Sequence, residues 1–159
     1  MARFNEGFHG GHGRYRQADR RFPQLEPHLK LLLDTHAWIW ALQSPDRIGR
    51  AVRRQLENSK NQIYLSPVSI WEAHHLHKRG RLRTKGNFAD WLNQALTAGP
   101  LHEAVFNFAV AAEAARISLP QSDPSDVFIA ATASVLDLTL VTADAQLLAC
   151  PWLKTLGCE

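Results

Sequence analysis

Four acidic residues in this chain stand at the edges of short apolar runs. Asp34 closes LLLD (31–34), and Glu72 follows the second run in SPVSIWEA (66–73). Asp126 comes three residues after Asp123 in SDPSDVFIAATA (122–133), and Asp144 follows the late run in LVTADAQLL (140–148). Carboxylates gathered in one place repel, and some must stay protonated unless a cation offsets them. Hard oxygen ligands select Mg²⁺ or Mn²⁺. Such ions activate water and neutralise charge on a phosphodiester, so the chemistry suggested is phosphoryl transfer to water.

Each acid also has a local alternative. Asp34 can cap a helix beginning at Thr35. Ser69 and Glu72 have the spacing of a capping box. Asp123-Pro124 reads as an N-cap followed by proline at the first helical position. Asp126 then lies in the first turn, where a negative charge suits the helix dipole. Asp144 can cap a helix from Ala145.

What distinguishes the alternatives is the set of elements that position these acids. LKLLLD (29–34) is short, apolar and bounded, as a buried strand is. THAWIWAL follows as a helix, Ser44-Pro45 breaks it, and 46–58 reads as a basic amphipathic helix. QIYLS (62–66) is a second strand. Helices are expected over 67–79, ending near Gly80, and over 87–98, with Asn87 as cap. HEAVFN (102–107) is expected as a third strand, before helices at 108–117 and 124–136. LTLVT (138–142), a short helix at 145–149 and WLKTL (152–156) complete the series. Strands alternate with helices, which predicts an α/β fold: a mostly parallel sheet between two helical layers, with right-handed crossovers. The carboxyl ends of parallel strands share one edge, where ligands bind near a topological switch point. Asp34, Glu72, Asp126 and Asp144 are therefore expected to converge.

Composition narrows the class. The chain has 159 residues, 45% hydrophobic and 21% charged, enough for one domain with a full core. No apolar stretch is long enough to span a bilayer, and the N-terminus has no secretory apolar region. Cys150 and Cys158 are the only cysteines. They make no disulfide framework, so a cytoplasmic protein is expected. Residues 1–28 hold four of the nine glycines and three histidines with little apolar periodicity. They are expected to be a disordered basic extension, with 29–159 as the domain. Six Lys/Arg and three Asp/Glu fall in residues 1–30, so the rest carries twelve of each sign. Once the acids are gathered at a metal, the remaining surface is net basic.

LLLDTHAWIW, SPVSIWEA, DPSDVFIAATA and LVTAD, in this order, resemble a PIN domain of the VapC toxin type. The resemblance covers residues from about Lys30 to the C-terminus. It implies an α/β/α sandwich and Mg²⁺- or Mn²⁺-dependent endoribonuclease activity. It further implies a homodimer and a cognate VapB-like antitoxin. The family's acidic positions fall on Asp34, Glu72, Asp126 and Asp144, as metal ligands and catalytic groups. Asp123 is expected to cap and support, and Thr142 to hydrogen-bond near the site. Val127 stands where relatives with DPxDR carry arginine, and AHHLHKRGR (73–81) is unusually rich in histidine.

An acidic centre that cuts RNA needs a basic approach. HKRGRLRTKG (77–86) supplies Lys78, Arg79, Arg81 and Arg83 as candidate RNA contacts, and Arg47, Arg50, Arg53 and Arg54 form a second group. Both groups also read as solvated faces. His74, His75 and His77 do not share one helical face, which argues against zinc. Trp38, Trp40, Trp71 and Trp91 are expected in the core or at an interface. The alternative function is a non-catalytic RNA- or protein-binding module on the same fold. A receiver domain or a haloacid-dehalogenase-like phosphatase would need other partners around the first aspartate, and Asp34-Thr35-His36 fits neither.

Overall fold

The structure, a computed structural model, describes residues 28–119 and 123–159. The expected extension over 1–28 lies, apart from His28, outside the described residues. In chain order the elements are β1 (Lys30–Leu33), α1 (Thr35–Gln43), a 3₁₀ turn (Pro45–Arg47), α2 (Arg50–Glu57), β2 (Gln62–Leu65) and α3 (Pro67–Lys78). There follow α4 (Phe88–Thr97), β3 (His102–Glu103), α5 (Phe108–Arg116), α6 (Pro124–Val135), β4 (Thr139–Thr142), α7 (Ala145–Leu148) and β5 (Thr155–Gly157).

The five strands form one sheet in the order β3-β2-β1-β4-β5, and every pairing is parallel. β1 is central, with Leu33 opposite Leu65 of β2 and Val141 of β4. Because strand side chains alternate, Leu31 and Leu33 enter one core and Leu32 the other. The first core takes Trp38 of α1, Val52 of α2, Ala73 of α3 and Trp91 of α4. The second takes Ile129 and Ala133 of α6 and Leu147 of α7. α5 packs on α6 through Val110, Ala114 and Ala131. A strand buried on both faces must read as an unbroken apolar run, which is why LLL carries no alternation.

Three elements depart from expectation. The helix over 46–58 is interrupted, because Ile48 turns extended to fill the core and Gly49 follows it. Gly49 N–H donates to the Cys158 carbonyl, and a Cβ there would stand 2.7 Å from the Glu159 carbonyl carbon. β3 is two residues rather than six. Its partner β2 ends at Leu65, and Pro67, starting α3, has no N–H to continue a ladder. β5 begins at Thr155 rather than 152, since Leu153 closes a turn on Cys150 and fills the second core.

Candidate active site

The sheet reverses direction of growth at β1: β2 lies on one side, β4 on the other. The crevice beyond the carboxyl ends of β1 and β4 is therefore the switch point. Asp34 and Asp144 flank it. A cleft of about 790 Å³ opens there, and Asp34, Glu72, Asp123, Asp126 and Asp144 all line it.

Asp34 is 8% exposed and follows β1 directly. Its Oδ1 accepts from the Ala37 N–H at 2.7 Å, capping α1. Its Oδ2 accepts a short hydrogen bond from the Thr142 hydroxyl. Burial raises its pKa above the ordinary value, against the pull of these two donors and of His36. Thr142, fully buried at the end of β4, also accepts from the Asp144 N–H at 3.0 Å. One hydroxyl thus ties the first and last acids together. Asp144 in turn caps α7, its Oδ1 accepting from the N–H groups of Gln146 (2.7 Å) and Leu147 (3.2 Å).

Glu72 corrects the capping-box expectation. Ser66 caps α3, accepting from the Val68 N–H, and Ser69 is buried inside the helix. Glu72 lies in the second turn and instead accepts from the Thr35 hydroxyl at 2.5 Å. α3 is thereby joined to the residue after Asp34, a link not evident in the sequence. Asp123 caps α6 as expected, accepting from the Ser125 N–H (3.1 Å) and hydroxyl (3.0 Å). Asp126 sits in the first turn, half-buried. Desolvation, then the charges of Glu72, Asp144 and Asp123, push its pKa up to about 6.

The oxygen-only donor set and the mutual repulsion fit a hard divalent cation. Asp34, Glu72, Asp126 and Asp144 are the residues that would hold it. Among the described residues, no three His, Cys, Asp or Glu side chains stand close enough to form a ready-made cage. A cleft of carboxylates this open suits an ion that keeps several of its waters, as Mg²⁺ does.

Of the expected basic contacts, Arg79 and Arg81 line the cleft and Lys78 and Arg83 do not. Helical spacing and the turn after α3 explain the sorting. Gly80 takes φ +71°, and the N–H groups of Arg81 and Leu82 return to the Leu76 carbonyl. Arg79, the C-cap of α3, stands two helical turns after Glu72 on the same face, and the turn that buries Leu82 returns Arg81 to the cleft. Arg47 joins them. His36 is exposed and lines the cleft. Trp38 and Trp91 are core residues as expected, Trp40 packs partly buried against the same core at the edge of the cleft, and Trp71 is exposed in the cleft. Cys158 is buried, and burial followed by the Asp34 charge pushes its thiol up to about 11, so it is no nucleophile.

A sequence profile of the PIN domain family matches residues 31–152. A sequence comparison with curated proteins finds no match. Similar solved structures include VapBC2 from Rickettsia felis bound to a DNA fragment from its promoter (21% identity, 82% of this chain and 100% of that chain, TM-score 0.64). DNA-bound VapBC from Salmonella typhimurium matches at 15% identity over 82% of this chain and 99% of that one, TM-score 0.62. VapBC-1 from nontypeable Haemophilus influenzae matches at 16% identity, 81% and 98% coverage, TM-score 0.57. At such identities these structures share a fold, while the profile match spans most of the chain. The protein belongs to the PIN domain family.

Proposed function

We propose that this protein is a Mg²⁺- or Mn²⁺-dependent endoribonuclease and the toxin of a VapBC-type pair. The observation that carries the proposal is the meeting of acids from four separate segments in one cleft at the sheet's switch point. A bound divalent ion supplies charge neutralisation on the phosphodiester and activation of water. Asp34, Asp126 and Asp144 hold the cation; Glu72 contributes to it or orients the attacking water. Thr142 fixes Asp34, and Thr35 fixes Glu72. Arg47, Arg79 and Arg81 draw the RNA backbone to the acids, since phosphate contacts position a nucleic acid.

A VapB-like antitoxin is the proposed protein partner, by analogy with the VapBC complexes of the same fold. A homodimer in the cytoplasm is the proposed state. Among the described residues no helix is long and apolar enough to cross a membrane.

The test is cleavage of total RNA by the purified protein with Mg²⁺ or Mn²⁺, beside Asp34→Asn. Asparagine keeps the cap on α1 but not the charge, so the fold should persist and cleavage should cease. A variant that cuts at the wild-type rate removes Asp34 from the chemistry.

A further inference from the structure

The cleft holds aromatic rings beside its acids. Trp71 immediately precedes Glu72 on α3 and is 59% exposed. Such a large ring left in water contributes little to the fold, and buried tryptophans elsewhere in the chain show where folding uses them. His75, one turn later, backs it: the ring centroids are 4.0 Å apart, and His75 Nδ1 lies 3.0 Å from the Trp71 carbonyl oxygen. Trp40 also lines the cleft, but the Arg47 guanidinium covers its ring at 4.0 Å. Trp71 therefore offers the open aromatic face, with Arg79 and Arg81 in the same cleft.

We propose that Trp71, backed by His75, is a stacking platform for one unpaired base of the RNA substrate, next to the phosphate held at the acids. This rests on the ribonuclease activity proposed above. Bases and phosphates alternate along RNA, and here an aromatic face, a carboxylate cluster and two arginines line one cleft. An A-form duplex hides the faces of its bases, so a stacking platform selects single strands and loops. Every base has a π-face, so the platform tolerates sequence while demanding an unstacked nucleotide. A protein segment could also cover Trp71, but its neighbours are the groups that handle phosphate.

The test measures fluorescence anisotropy of a labelled single-stranded RNA of mixed sequence, and of the same RNA annealed to its complement. Ca²⁺ replaces Mg²⁺ to hold off cleavage. Trp71→Ala should weaken single-strand binding about tenfold or more, as expected for one lost base stack. Trp71→Phe should restore most of it, duplex affinity should not change, and Mn²⁺ binding read by electron paramagnetic resonance should match the wild type. Wild-type RNA affinity in Trp71→Ala, with the unmutated protein still cutting RNA, would overturn the platform and leave the nuclease standing. Loss of antitoxin binding alone, with RNA affinity intact, would assign Trp71 to a protein contact and overturn it too. If the unmutated protein neither binds nor cuts RNA, platform and nuclease fall together.

Discussion

Asp126→Asn should make the metal-free protein more stable while abolishing its activity. Asp126 is held at about 6 against an ordinary value near 3.8, first by desolvation and then by Glu72, Asp144 and Asp123. At about 1.36 kcal/mol per pH unit, that rise corresponds to about 3 kcal/mol of strain on the ionised form. The side chain is only half-buried, and solvent screening lowers the figure to about 1–2 kcal/mol. Loss of a first-turn charge on α6 works the other way by about 0.3–1 kcal/mol. The net gain is about 1 kcal/mol, or about 2–4 °C in Tm for a chain of this size. The sign depends on pH. Below about pH 4 both folded and unfolded carboxyls hold the proton, and the charge costs nothing. Between the two values the folded state holds the proton more tightly, so the wild type loses stability as pH rises, fully so above about 6. Thermal unfolding in EDTA should therefore show the variant ahead at pH 8 and not ahead at pH 4. Adding Mn²⁺ at pH 8 should raise the wild-type Tm and leave the variant nearly unmoved. A variant less stable than wild type at pH 8 in EDTA, or one that responds equally to Mn²⁺, refutes the reasoning.

Thr142→Val removes the hydroxyl that joins Asp34 to Asp144. Urea unfolding should show a loss of about 1–3 kcal/mol, the cost of buried polar groups left without partners, and Thr142→Ser should recover both stability and cleavage. Replacing Arg79 and Arg81 together by alanine should flatten the salt dependence of single-stranded RNA binding by about 1.4 in log–log slope, at about 0.7 per phosphate contact. Lys78 and Arg83 replaced together should change the slope little, and equal changes in both pairs would remove the cleft from the binding surface. Asp144→Asn keeps an oxygen for the α7 cap, so the fold should hold while Mn²⁺ affinity falls about tenfold or more by calorimetry; unchanged affinity takes Asp144 out of the metal site.

Much of this arrangement was legible because it rests on short-range signals. The apolar run LLL reads as a strand buried on both faces, and Leu31–Leu33 are buried on both faces. Parallel strands joined by helices leave one edge for ligands, and the cleft lies on it with every expected acid. The errors fall where an element depends on a partner far along the chain. β3 is short because β2 stops, and α2 starts late because the C-terminus packs on Gly49. Likewise Glu72 was matched to Ser69, three residues away, when its partner is Thr35 on another helix. The basic run 77–86 offered no means of telling Arg81 from Arg83, because the Gly80 turn places them, whereas Arg79 lies on the Glu72 face of α3 by helical spacing. Trp71 resembled a core residue by type alone, and only the packing of α3 leaves it outside.

The capping and metal explanations of these acids need not compete. Aspartate, asparagine and serine cap helices about equally well, so a cap does not call for a charge. Among the described residues, the helix starts that lie away from the cleft are neutral residues: Gly49 on α2, Ser66 on α3, Asn87 on α4 and Asn107 on α5. The three aspartate caps, Asp34 on α1, Asp123 on α6 and Asp144 on α7, all line the cleft. Capping explains why a short oxygen-bearing side chain stands at each helix start, and why it is held rigidly at the sheet edge. It does not explain why, among the described residues, those three caps alone carry a carboxylate rather than a neutral oxygen. Glu72 extends the point, since it caps nothing and still turns toward the same cleft. A charge that local structure does not require, repeated on four segments that reach one crevice, is what a cation site demands of the fold around it.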